Sequence, residues 1–73
     1  MEHLDLRKIP CPRNTSKALI VLSGMETGES LEIFLDDGEP IQNVPSSLTI
    51  EGHKILQMNQ NSEGFWIIIV EAG

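Results

Sequence analysis

The strongest nucleophile in the chain is its single cysteine, Cys11, in the segment IPCPRN. A cysteine thiolate attacks disulfide and persulfide sulfur, so one well-placed cysteine is enough for sulfur exchange. Pro10 and Pro12 restrict the backbone on both sides of the thiol. Arg13 follows directly, and Arg7 and Lys8 lie just upstream. The segment therefore predicts a stiff loop that holds a sulfur atom in a basic neighbourhood.

The flanking residues predict a strand before Cys11 and a helix after it. HLDLR alternates apolar and polar residues, which is typical of a half-buried strand. Pro12 suits the first helical position, which puts Cys11 at or next to the N-cap. The run Ala18–Leu22 is apolar throughout and fits a helix or a buried strand, but the proline start and the Ser23 and Gly24 stop favour a helix.

Two interpretations of Cys11 remain open on the residues alone. Free cysteines are among the most buried residues and often serve as small apolar side chains. At a strand-to-helix turn between two prolines, however, burial is less favourable. The partial positive charge of a helix N-terminus favours an anion, which suits a functional thiolate.

The remaining chain completes a β-α-β-α-β-β order. ESLEIFL predicts a strand with Leu31, Ile33 and Leu35 on one face, followed by the DDG turn. We expect a turn through residues 40–44 and then a helix from about Pro45 to Glu51, capped by Gly52. HKILQMNQ and FWIIIVE predict two strands joined by the NSEG hairpin.

These elements predict an α/β (α+β) fold, a two-layer sandwich in which two helices cover one face of a four-stranded mixed sheet. The first two strands are expected to be parallel and the last two to form an antiparallel hairpin. Glu32 and Phe34 would lie on the open face, together with one of two sets from the last strand. These sets are Phe65, Ile67 and Ile69, or Trp66, Ile68 and Val70.

Composition narrows the function classes. The 73 residues suit a single domain, residues 1–73, and carry 5 basic against 11 acidic residues, a net charge of −6. The sequence lacks the basic stripe that is typical of direct nucleic-acid binding. It also has no apolar run long enough to span a membrane. One cysteine with His3 and His53 allows no internal disulfide and too few ligands for a zinc cluster. The lone thiol without a leader segment predicts a cytoplasmic protein. We separately expect either a monomer or a weak homodimer.

The segment LDLRKIPCPRN resembles the N-terminal signature of the TusA/SirA-like sulfur-carrier family, Leu-Asp-x-Arg/Lys-Gly-x-x-Cys-Pro before a helix. METGESLEIFLDDGEPIQNVPSSLTIEGHKIL is similar to the family's next stretch, so the resemblance runs from Leu4 to about Leu56. It implies the same β-α-β-α-β-β fold. It also implies that Cys11 accepts a sulfane sulfur as a persulfide and passes it on.

The resemblance implies partners but no cofactor or metal. The usual donor is a cysteine desulfurase or a rhodanese-type enzyme, and downstream sulfur acceptors serve tRNA thiolation, molybdenum-cofactor or sulfur-oxidation pathways. Whether such a carrier counts as an enzyme, a sulfurtransferase, is left open. A non-catalytic interaction or regulatory module that docks through the apolar sheet face is the alternative hypothesis.

This sequence departs from the family pattern around the thiol. Many members carry a second proline where Asn14 stands, and this side chain is expected either to cap the helix or to hydrogen-bond near the sulfur. Lys8 occupies a position where the family favours glycine. Asp36 and Asp37, after the second strand, are candidates for partner contact, although turn formation and capping of the next helix are the favoured roles.

Overall fold

The computed structural model describes all 73 residues and contains four strands and two helices. In chain order they are β1 (Glu2–Asp5), α1 (Arg13–Ser23), β2 (Ser30–Leu35), α2 (Glu39–Ile50), β3 (Lys54–Gln60) and β4 (Trp66–Glu71). The strands lie in the order β1-β2-β4-β3, with β1 and β2 parallel and the other pairs antiparallel. The predicted mixed sheet and two-layer sandwich are confirmed.

The hydrophobic core lies between the sheet and the helices. Leu31, Ile33 and Leu35 alternate along β2 and are fully buried, as the period-2 pattern predicts. Val70 and Ile68 of β4 lie opposite Leu31 and Ile33, and they are buried with them. One cluster of eleven buried side chains thus unites both central strands with both helices.

The other face of the sheet has no helix over it. Phe34 lies opposite Ile67, and Glu32 lies opposite Ile69, so these residues share the uncovered face. Of the two sets left open for the last strand, Phe65, Ile67 and Ile69 therefore occupy this face. All three are partly buried, and we call this surface the open sheet face.

Helix α1 begins at Arg13, one residue later than expected. Pro12 is the N-cap residue rather than the first helical residue, and Cys11 precedes it. The helix ends at Ser23 with Gly24 as its C-cap, as predicted. Its inner face consists of residues spaced by one helical turn: Asn14, Ala18 and Leu22.

The predicted start of the second helix was wrong. Helix α2 begins at Glu39, with Pro40 in the first turn and Pro45 inside the helix. Gly52, with φ 97°, follows the helix in the left-handed conformation that glycine adopts without a steric penalty. An early start puts four residues at helical spacing against the sheet: Ile41, Val44, Pro45 and Leu48. The free energy gained by burying this stripe exceeds the cost of the backbone hydrogen bond that Pro45 cannot donate.

Candidate functional site

Cys11 lies in the loop between β1 and α1 and is partly exposed, so its sulfur is neither a core side chain nor a fully solvated one. The flanking prolines are exposed, and the Cys11–Pro12 peptide bond is cis. Their carbonyls accept the first helical hydrogen bonds, from Asn14 N to Pro10 O at 3.1 Å and from Ser16 N to Pro12 O at 3.0 Å. Both prolines are therefore tied to the first turn of α1.

Asn14 is the residue whose side chain contacts the sulfur. Its amide nitrogen Nδ2 donates a hydrogen bond to Cys11 Sγ at 3.2 Å, and the whole residue is buried. Its carbonyl Oδ1 accepts from the backbone N–H of Thr15 at 2.7 Å. Because Oδ1 must face that donor, the NH₂ group must face the sulfur. This matches the hydrogen bond that the sequence predicts for Asn14; no side chain caps α1.

Arg7 does not contribute a free charge beside the thiol. Its guanidinium forms two hydrogen bonds with Asp5, Nε to Oδ1 at 3.0 Å and Nη2 to Oδ2 at 2.8 Å. It also stacks over two aromatic rings of the open sheet face, 4.4 Å from the Phe65 centroid and 5.1 Å from that of Phe34. The side-chain and backbone hydrogen bonds from Arg7 lower the pKa of Asp5 to about 2.

The contacts of His3 and Arg7 with the aromatic rings of the open sheet face were not apparent from the sequence. His3 meets Phe34 edge-on with ring centroids 4.6 Å apart, and its Nδ1 lies 3.1 Å from Glu32 Oε1. Phe34 and Phe65 have centroids 4.9 Å apart. The only available signal was the strand register, which depends on a pairing between β2 and β4 that the sequence did not specify.

Asp36 and Asp37 both bind groups from other elements. Asp36 Oδ2 accepts the backbone N–H of Lys8 at 2.6 Å, and Asp37 Oδ1 accepts the indole N–H of Trp66 at 2.9 Å. The expected capping of α2 by these side chains was wrong, because Gly38 is the N-cap and no side-chain cap bond forms. Through these hydrogen bonds, Asp36 holds the β1–α1 loop, and Asp37 holds β4, next to the end of β2.

The backbone conformation at Lys8 accounts for the family's preference for glycine at this position. Its φ is 66°, in the left-handed region that side chains other than glycine disfavour. The Asp36 hydrogen bond to its backbone N–H supports this conformation. The turn brings the chain from β1 towards the loop that carries Cys11.

Known proteins with similar sequences identify the family of this chain. The family model described as "Sulfurtransferase TusA" matches residues 2–72, which is almost the whole chain. The chain belongs to the TusA sulfurtransferase family. The predicted family is therefore confirmed, and the matched residues include the Cys11 loop.

Named relatives of this TusA-family chain agree. It is 32% identical over 66 residues to the sulfur carrier protein TusA of Buchnera aphidicola, covering 88% of this chain and 84% of the relative. It is 31% identical over 70 residues to a candidate sulfur carrier protein of Archaeoglobus fulgidus, covering 96% of this chain and 80% of the relative.

Solved structures show the same fold. The crystal structure of a SirA-like protein from Desulfitobacterium hafniense superposes with a TM-score of 0.86 at 20% identity, covering 100% of this chain and 99% of that one. A solution structure from Helicobacter pylori gives a TM-score of 0.77 at 20% identity, covering 97% of this chain and 96% of that one. At such identities these two likenesses concern the fold alone. No helix of this chain is both long and apolar enough to cross a bilayer.

Proposed function

We propose that this chain is a sulfur carrier that receives a sulfane sulfur on Cys11 as a persulfide and delivers it to an acceptor protein. The observation that carries the proposal is the hydrogen bond from the buried Asn14 amide to Cys11 Sγ, in a chain of the TusA family. A structural cysteine packed in a core needs no such donor. A sulfur that must bear negative charge gains from it.

The loading step is a thiolate exchange. The Cys11 thiolate attacks the terminal sulfur of a donor persulfide, so a bond forms between Sγ and the sulfane sulfur. The sulfur–sulfur bond in the donor breaks, and the donor cysteine leaves as a thiolate. The proton of the persulfide travels with the terminal sulfur, and no net oxidation occurs. We propose a cysteine desulfurase or a rhodanese-type enzyme as donor.

Delivery reverses the roles of the same atoms. An acceptor thiolate attacks the terminal sulfur, a new sulfur–sulfur bond forms on the acceptor, and Cys11 Sγ leaves as a thiolate. Negative charge on Sγ therefore accompanies both steps. The Asn14 amide lies within 3.2 Å of this atom. The N–H of Arg13, the first residue of α1, has no acceptor within the chain and adds an unpaired donor at the helix N-terminus.

The test is the intact mass of the protein after incubation with a cysteine desulfurase and L-cysteine, or with a rhodanese and thiosulfate. The wild type should gain the mass of one sulfur atom, and a reducing agent should remove it. Cys11→Ser, which replaces only the sulfur, should gain none. If the wild type gains no sulfur from either donor, the proposal is wrong.

A further inference from the structure

Charge is unevenly distributed along this acidic chain. Residues 6–25 contain four of the 5 Lys and Arg residues and none of the 11 Asp and Glu residues. The rest of the chain carries Lys54 and all 11 acidic residues. Cys11 lies inside the basic segment, so the thiol is in the one part of the sequence that an acidic surface would attract.

Three of these cations are free to meet a partner. Arg7 is held by Asp5 at 2.8 Å, but Lys8, Arg13 and Lys17 form no ion pair within the chain. All three are exposed. Arg13 and Lys17 are four residues apart on α1, so they project from one face of the helix.

The same helix face has a shallow depression that begins at the residue after Cys11. It is lined by Pro12, Arg13, Ser16, Lys17 and Ile20. Ile20 is 71% exposed, although the rest of the apolar run in α1 faces the core or is partly covered. We call this surface the α1 docking face.

We propose that the α1 docking face binds the sulfur donor. The matching surface of the donor is acidic, includes an apolar contact, and surrounds the donor's persulfide-bearing cysteine. This inference rests on the proposed function and adds the surface and charge of the partner. Arg13 and Lys17 on this face steer an acidic partner towards it, while the carboxylates, none of which lines it, repel that partner from other approaches. Ile20 provides the apolar contact that a specific interface requires.

A protein fits this face better than a nucleic acid does. Phosphate backbones are bound by many Lys and Arg residues, and each contact adds to the salt dependence. The α1 docking face carries only two cations, Arg13 and Lys17, within a chain of net charge −6. The exposed Ile20 on this surface also offers no contact to phosphate.

The test compares two charge reversals that alter the net charge equally. The rate of sulfur loading is measured with a cysteine desulfurase and L-cysteine, at limiting carrier concentration, for the wild type, Lys17→Glu and Lys54→Glu. Lys54 is exposed at the start of β3, outside the docking face. Lys17→Glu should load about tenfold more slowly at low salt, the scale of electrostatic steering. Lys54→Glu should differ from wild type by less than about twofold.

Salt and a second pair of variants separate charge from apolar contact. The deficit of Lys17→Glu should shrink as salt shortens the Debye length from about 10 Å at 0.1 M to about 3 Å at 1 M. Ile20→Ser should load slowly at every salt concentration, whereas Ile50→Ser, at a site 82% exposed on α2, should not. Alkylation of Cys11 by iodoacetamide should be unchanged in Lys17→Glu and Ile20→Ser, which shows that the thiol itself is intact.

The outcomes separate the two proposals. Equal loading of wild type, Lys17→Glu and Ile20→Ser would overturn the docking face and leave the sulfur carrier standing. Equal slowing by Lys17→Glu and Lys54→Glu would also overturn it, because net charge alone would then explain the effect. Tight binding of bulk tRNA that Lys17→Glu abolishes would identify a nucleic acid as the occupant instead. If no donor loads the wild type, both proposals fall together.

Discussion

In the proposed sulfur relay, loading and delivery both place negative charge on one atom, Cys11 Sγ. In the folded chain this atom has one side-chain donor, the Asn14 amide at 3.2 Å. The donor is itself held, because Oδ1 of the same amide accepts the Thr15 N–H at 2.7 Å. Asn14 is therefore a positioning residue whose hydrogen bond can stabilise the thiolate before loading and after delivery.

Asn14→Asp should slow the reaction of Cys11 while preserving the shape of the loop. The aspartate retains an oxygen for the Thr15 N–H but presents a second oxygen, an acceptor, to the sulfur. A hydrogen bond to a charged group contributes about 1.5–3 kcal/mol, so its loss should reduce the rate of alkylation by iodoacetamide about tenfold or more at neutral pH. The rate is measured by mass spectrometry over time.

Asn14→Ser is the uncharged control, because a shorter hydroxyl removes the donor without adding a negative charge. It should react faster than Asn14→Asp but more slowly than wild type, while thermal unfolding reports any loss of stability separately. A purely structural role for Asn14 predicts a different result: lowered melting temperatures with alkylation rates equal to wild type for the folded protein.

At the scale of elements, β4 shows how one strand serves two surfaces. Ile68 is fully buried opposite Ile33, while the adjacent Ile67 lies on the open sheet face opposite Phe34. The run WIIIV is apolar on both faces, so no alternation in the sequence distinguishes them. The register with β2, which does alternate clearly, decides which isoleucine faces the core.

Ile68→Val and Ile67→Val each remove one methylene-sized group, the first from the core face of β4 and the second from the open sheet face. Ile68→Val should lower the free energy of unfolding by about 0.5–1.5 kcal/mol, the usual cost at a buried site. Ile67→Val should change it by less than about 0.5 kcal/mol, because its environment is only half-buried. Urea denaturation monitored through Trp66 measures both. A larger loss for Ile67→Val would mean that the assignment of faces is inverted.

The open sheet face also bears on the alternative function, docking through that surface. The large apolar side chains at the centre of this face, Phe34, Phe65, Ile67 and Ile69, are all partly buried, whereas Ile20 of α1 is 71% exposed. The Arg7 guanidinium covers Phe34 and Phe65, which makes this face less apolar than the strand pattern suggests. The structure therefore favours the thiol loop and α1 over the sheet as the functional surface.

Helix α2 shows what sequence patterns could not decide. Pro40 and Pro45 are both suited to a first helical turn, and choosing Pro45 predicted a start six residues too late. Ile41, Val44 and Leu48 fit helical spacing with either start, but only a start at Glu39 brings Ile41 into the packed layer. That depends on where the sheet lies, a long-range property that local turn signals do not contain.

At the scale of the whole molecule, the element order, the two-layer fold and the family follow from the sequence, because alternation along β2 and the turns are strong local signals. The contacts around the thiol could be predicted less completely from the sequence. Arg7 is near Cys11 in sequence, yet its charge is engaged by Asp5 and its guanidinium stacks on Phe65. Asn14, three residues after the cysteine, contacts it because a helical turn returns its side chain to the sulfur.

The Asp5–Arg7 ion pair links this surface to acid stability. Hydrogen bonds from Arg7 lower the pKa of Asp5 from 3.8 to about 2 in the folded chain. A depressed carboxyl pKa contributes stability that is present above the unfolded value and is lost as pH falls from about 4 towards 2. Asp5→Asn should therefore lower the free energy of unfolding at pH 6 by about 0.2–1 kcal/mol, the range for exposed pairs. Near pH 2 most of the stability difference between the variant and the wild type should have disappeared.

Urea denaturation of wild type and Asp5→Asn at pH 6, 4 and 2 measures this difference directly. Glu2→Gln, on the same strand, is the control, since Glu2 is exposed and forms no ion pair within the chain. It should not reproduce the pH-dependent difference. High salt at pH 6 should narrow the gap between wild type and Asp5→Asn, because an exposed pair is screened. A gap that widens towards pH 2 would have the wrong sign for a lowered carboxyl pKa and would exclude the ion pair as its cause.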